Sequence, residues 1–255
     1  MNPKTLRQLL DWSPPLRLSV VANGIAPEGA VVFLYGVYGT LKTWLSMDFA
    51  YQISVGGIWL VYQTVRHRVL VLQSELTEAE YRHRWVLYTQ GRTVNSNGLY
   101  IVTDAEIKLD TPMGFQMLEN AVIANKIEVV VVDNLISVMI GDGTKNVDAQ
   151  RFIDNCKRLR ARTTPPVTFL IVHHAHQPVL DLRTGKTFHQ RGYEMFGSSF
   201  FADWADTILE VRHEVDGAFP DSVRVTPEKY RLAEASLPPY TYQFQRQQAQ
   251  FRLVI

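Results

Sequence analysis

Residues 33–43 read Phe-Leu-Tyr-Gly-Val-Tyr-Gly-Thr-Leu-Lys-Thr, an apolar run that enters a glycine-containing turn and leaves through Lys42-Thr43 into a helical pattern. A strand, a tight turn and a helix in that order can bind polyphosphate. Backbone N–H groups of the turn, from Gly36 through Val37, Tyr38, Gly39, Thr40 and Leu41, can surround phosphate oxygens. The Lys42 ammonium can reach the terminal phosphates, and the Thr43 hydroxyl can ligate Mg²⁺. The positive end of the helix dipole adds to the same field. One position departs from the G-x-x-x-x-G-K-[ST] pattern, because Leu41 stands where the second glycine is expected. A leucine held at positive φ costs about 1–2 kcal/mol, which bears on affinity and turnover more than on where the site lies. The plain alternative is an ordinary strand-turn-helix with a surface lysine.

Three further stretches end apolar runs with chemistry-bearing side chains. Ile127 to Asp133 carries four successive valines into a carboxylate. At the C-terminal end of a buried parallel strand, Asp133 can hold Mg²⁺ opposite Thr43; as a lone residue it is more often a helix or turn cap. Val69 to Glu75 is another apolar run ending in a carboxylate. Glu75 can polarise a water attacking the γ-phosphate, or it can sit in the first turn of the next helix, capped by Ser74 or Thr77. Phe169 to His176 ends in His173-His174-Ala175-His176. Strand alternation sends His173 and His174 to opposite faces, and no Cys or Glu cluster accompanies them, which argues against a metal centre. A phosphate-sensing imidazole fits better, with a pair of hydrogen-bonded core histidines as the alternative.

These residues need elements to bring them together. The pattern predicts strand 30–35, helix 42–54, strand 68–73, helix 77–89, strand 99–102, helix 112–125, strand 127–132, helix 147–162 and strand 167–172. Strands alternating with helices imply right-handed βαβ units, hence an α/β fold with a mostly parallel central sheet and helices on both faces. Beyond His176 come a loop rich in glycine and charge, a short segment at 197–204, and alternating stretches near 206–213, 222–228 and 240–254. The last are expected to add C-terminal antiparallel strands at the sheet edge. Before the core, a short amphipathic segment at Leu6–Trp12 and the prolines at 14, 15 and 27 suggest an arm.

The order Gly36-to-Thr43, strand-Glu75, strand-Asp133, strand-His173-His174 and Gly197-Ser198-Ser199 resembles RecA-fold P-loop ATPases. It is most similar to the RepA-like hexameric helicase group, with DnaB-type helicases and KaiC as wider relatives, and it covers roughly residues 28–213. The resemblance implies ATP and Mg²⁺ as cofactors. It assigns phosphate and metal binding to Lys42, Thr43 and Asp133, water activation to Glu75 and γ-phosphate sensing to His174. Together with the pattern along the chain it gives the expected division: an N-terminal arm at 1–28, a RecA-like ATPase core at 29–215 and a C-terminal β extension of the same domain at 216–255. It further implies a homo-oligomeric ring, most simply a hexamer, or a filament, with a cationic finger in trans for which Arg191, Lys186 and Arg212 are candidates. Single-stranded DNA is expected at the loops 136–147 and 177–196, through Lys145 in the first and Arg183, Lys186 and Arg191 in the second. The expected function is a helicase-like motor in replication or repair. A strand-loading filament and a KaiC-like assembly switch are the alternatives.

Composition sets the outer bounds. At 255 residues, 46% apolar, the chain can bury one substantial core. With 26 Lys and Arg against 25 Asp and Glu, no global field draws it onto nucleic acid or a membrane, so any polyanion site must be local. Cys156 is the single cysteine, on a predicted helix, which excludes an intramolecular disulfide and fits a reducing compartment. No apolar run approaches the roughly 18 residues that span a bilayer, so a cytoplasmic protein without membrane contact is expected.

Overall fold

Val32 and Leu34 point to one face of their strand while Val31, Phe33 and Tyr35 point to the other, and this period-two alternation divides the core into two layers. The computed structural model describes residues 3–13, 17–94, 98–103, 106–175, 179–180, 187–188, 197, 199–214, 221–233 and 235–254. Arg183, Lys186 and Arg191, named above for the second loop and the finger, lie outside the described residues, as do His176 and Ser198.

Among the described residues the main sheet has nine strands, here numbered in chain order: β1 Val31–Gly36, β2 Val69–Gln73, β3 Leu99–Val102, β4 Val129–Asp133, β5 Thr168–His174, β6 Thr207–His213, β7 Ser222–Tyr230, β8 Tyr240–Gln245 and β9 Gln250–Leu253. Their spatial order is β9-β8-β7-β6-β1-β5-β4-β2-β3. The pairings from β6 to β3 are parallel and those from β6 to β9 antiparallel. The predicted mostly parallel sheet with antiparallel C-terminal strands is therefore present. The stretch predicted at 240–254 is a hairpin rather than one strand, because the chain turns between β8 and β9 with Ala249 at φ 46°. Strand β5 runs two residues past its predicted end, since Tyr35 and Gly36 of β1 offer ladder partners to His173 and His174.

Helices α2 Lys42–Val55 and α3 Glu78–Tyr88 cover one face, through residues such as Leu45, Phe49, Ile53, Tyr81 and Tyr88. Helices α4 Pro112–Asn125, α5 Asn146–Arg162 and α6 Ser199–Trp204 cover the other, through Phe115, Leu118, Phe152, Leu159 and Phe201. Helix starts follow local chemistry: Thr77 and Glu80 form a capping box on α3, and Thr111 followed by Pro112 caps α4. The remaining helix, α1 Leu6–Leu10, buries no residue. Val20, Val21, Ile25 and Ala26, a few residues further along the chain, join the first core layer through a short antiparallel pair at Ser19–Val21 and Ala26–Pro27. No described helix is long and apolar enough to cross a membrane.

Candidate active site

Because β1, β2, β4 and β5 are parallel, their C-terminal ends share one sheet edge, the edge at which open α/β sheets bind ligands. Register places Gly36 opposite His174 and Gln73 opposite Asp133. A cleft of about 310 Å³ opens there, lined by residues 38–44 of the turn together with Glu75, Asp133, Asn134, His174, Arg84 and Arg246.

The turn between β1 and α2 is shaped by close approach and by positive φ. A Cβ on Gly36 would stand 2.2 Å from the Val211 carbonyl oxygen of β6, so this position admits only glycine. Gly39 takes φ 84°, and Leu41 takes φ 63° and ψ 19°. The sequence departure at Leu41 thus leaves the left-handed backbone in place, occupied by a residue that is strained in holding it. Its side chain packs against the first core layer. Gly36 and Val37 stand behind the cleft, where their carbonyls accept hydrogen bonds of 2.9 and 2.8 Å from the Lys42 ammonium. Burial lowers the Lys42 pKa to about 8, against the upward pull of Asp133 and Glu75.

Asp133 is 1% exposed. Its carboxylate accepts a 2.9 Å hydrogen bond from Ser46 and a further one from Thr43. Burial nevertheless pushes its pKa up to about 6. A buried carboxylate beside a threonine hydroxyl, at the mouth of a phosphate-sized turn, suits a hard cation that keeps most of its shell as water and phosphate oxygen. The donor set fits Mg²⁺, with Thr43 and Asp133 as the residues to hold it.

Glu75 lies two residues before Thr77, which caps α3, so it is outside that helix and its carboxylate turns to the cleft. Oε1 accepts a hydrogen bond from the Asn134 amide and lies 3.3 Å from His174 Nε2. His174, Lys42 and Asn134 together hold the Glu75 carboxyl below the usual carboxylate range, His174 contributing most and burial opposing. Asn134 Nδ2 is 2.9 Å from the same His174 nitrogen. His173 points the other way, fully buried against Phe33 and Phe201. Among the described residues no cluster of His, Cys, Asp or Glu could hold a metal by itself.

Arg212 pairs with Glu210 along β6 and does not line its own chain's cleft. Lys145 is exposed at the start of α5. Sequence reasoning passes over four residues at the site. Ser46 is signalled only by its position one turn beyond Thr43, and Asn134 only by adjacency to Asp133. Arg84, stacked over Trp44 at 5.5 Å, comes from α3. Arg246, paired with Asp221 at 2.6 Å, comes from the β8–β9 turn, which the contact of Trp44 with Phe244 brings beside the loop.

Comparison with known proteins gives the same picture. No curated protein matches the chain significantly. Among solved structures, a KaiC-like protein of the hyperthermophilic archaeon Pyrococcus horikoshii OT3 superposes with a TM-score of 0.58 at 16% identity, over 95% of this chain and 100% of that one. A second solved structure, an ATPase domain, gives 0.63 at 12% identity over 88% and 84%. The flagellar accessory protein FlaH of Methanocaldococcus jannaschii gives 0.62 at 12% identity over 90% and 91%. At these identities the likeness is one of fold, the RecA-like P-loop ATPase fold. Residues 2–178 match the AAA domain family AAA_25, and with more than half its length so matched this P-loop chain belongs to that family.

Proposed function

We propose that the chain hydrolyses Mg·ATP in this cleft and works as a ring-forming oligomer, most simply a hexamer, on single-stranded DNA. The observation that carries the proposal is the meeting of Lys42, Thr43 and Asp133 with Glu75 and His174 at one sheet edge. The turn amides and Lys42 bind the phosphates, and Thr43 with Asp133 holds Mg²⁺, which when bound neutralises charge on the transferred group. Glu75 accepts the proton of the attacking water, for which its ionised state at neutral pH suits it. His174 reads the γ-phosphate. Family membership and the fold shared with the solved ATPase domain support the ATPase half. The DNA half rests on the resemblance to hexameric helicases and on the basic loops carrying Lys145, Arg183, Lys186 and Arg191, with Arg191, Lys186 or Arg212 acting in trans.

The test is ATP turnover with and without single-stranded DNA, in the wild type and in Lys42→Ala. Stimulation by DNA in the wild type and loss of turnover in the variant are expected. Undiminished turnover in Lys42→Ala removes the site, and turnover indifferent to DNA favours the assembly switch. Mass measurement with ATP and DNA addresses the ring, and a strict monomer under all conditions overturns it.

A further inference from the structure

Asn134 is 2% exposed, and three of the four hydrogen-bonding positions of its amide have a settled partner. Its Oδ1 accepts from both the backbone N–H and the hydroxyl of Ser137, each at 3.0 Å. A backbone N–H can only donate, so the oxygen must face Ser137 and the Nδ2 group must face the cleft. There one N–H donates to Glu75 Oε1, and Nδ2 lies 2.9 Å from His174 Nε2. Ser137 belongs to the short 3-10 turn Ile136–Val138 that opens the loop after β4.

The geometry points to Asn134 as a positioning residue for Glu75, tying the carboxylate, through Ser137, to the loop that follows β4. This rests on Glu75 as the base proposed above. Nδ2 supplies a donor that fixes one carboxylate oxygen, which leaves the second to meet the attacking water. The His174 nitrogen is contested, since Nε2 can accept from Asn134 or donate to Glu75 but cannot do both. A displacement of the 136–138 turn therefore moves Ser137, then Asn134, then Glu75. That chain of contacts lets an occupant of the loop alter turnover without touching the nucleotide.

Asn134→Asp is the discriminating variant. It keeps the shape and both hydrogen bonds accepted from Ser137 while removing the amide donor to Glu75. With turnover normalised to bound nucleotide, kcat is expected to fall about tenfold or more while KM for ATP stays within about twofold. Ser137→Ala removes one of the two bonds that aim the amide, so a smaller fall in kcat is expected. Because a carboxylate at this position no longer donates to Glu75, adding Ser137→Ala to Asn134→Asp should cost nothing further, a non-additivity that marks a shared route. Unchanged kcat in Asn134→Asp, or additive losses in the double variant, overturns the inference. Asn134→Ala, which has no side-chain donor, serves the same reading should the charged variant fail to fold. Glu75→Gln is measured alongside: full turnover there overturns the base itself, whereas an inactive Glu75→Gln beside a fully active Asn134→Asp overturns only the positioning role.

Discussion

The hydroxyl of Ser46 donates a 2.9 Å hydrogen bond to Oδ2 of Asp133, joining the first turns of α2 to the end of β4. The same turn of helix presents Thr43 to this carboxylate, so helix and strand end are joined at the two residues proposed to share a cation. The arrangement costs stability, because a carboxylate this buried is held away from water.

That cost can be measured. The Asp133 pKa rises from 3.8 to about 6 in the fold, so the favourable contribution is complete below the unfolded value and is lost as pH rises through about 6. Asp133→Asn, neutral throughout, is expected to raise the stability of the ligand-free protein at pH 7.5 by about 1–3 kcal/mol, with the gain vanishing near pH 4. Denaturation across that range checks this. The same variant should lose the stabilisation that Mg·ATP gives the wild type. A variant less stable than wild type at pH 7.5 contradicts the reading of Asp133 as a strained, cation-awaiting group.

Glu75→Gln keeps shape and loses the proposed base. It is expected to bind ATP while hydrolysing it at least about tenfold more slowly. Since Glu75 is held below the usual carboxylate range, hydrolysis from the preformed Mg·ATP complex should persist into mildly acidic solution before the base is protonated. Single-turnover hydrolysis against pH checks both statements, and unchanged hydrolysis in Glu75→Gln removes the residue from the chemistry.

Leu41 allows a sharper test of backbone strain. In an ordinary helix alanine is better than glycine by about 1 kcal/mol. At φ 63° the order should invert, because glycine alone enters the left-handed region without a Cβ clash. Leu41→Ala keeps the strain and loses the core contact, so a loss of about 1–2 kcal/mol is expected, whereas Leu41→Gly should be the more stable of the two. Denaturant midpoints for the pair decide it.

What the sequence makes legible follows from short-range physics. Continuous valines at 129–132 and the unbroken apolar run at 31–35 read as strands covered on both faces, and strand direction then places Asp133, Glu75 and His174 on one edge. Alternation also separates His174 in the cleft from His173 in the core. The hidden parts depend on partners far apart in the chain. Arg246 reaches the cleft only because the C-terminal hairpin packs on Trp44. Asn134 reads as one more turn residue until Glu75 and His174 are seen on either side of its amide. Val20 and Ile25 read as part of an arm, since nothing local shows that they enter the first core layer.

His174→Ala separates sensing from chemistry. Removing the imidazole takes away the largest influence that keeps the Glu75 carboxyl low, leaving Asn134 and Lys42 to hold it. Glu75 stays ionised at neutral pH under either condition, so nucleotide binding and basal turnover should survive there, while the acidic limit of turnover moves to higher pH. The DNA response should be lost, because His174 ends β5, the strand from which the 177–196 loop departs. ATP turnover against pH, with and without single-stranded DNA, reads both effects in one series. Full stimulation in the variant would place the sensor elsewhere. An unmoved acidic limit would mean that the contact of His174 with Glu75 does not govern the base. If the variant fails to fold, His174 is a core histidine that happens to border the cleft.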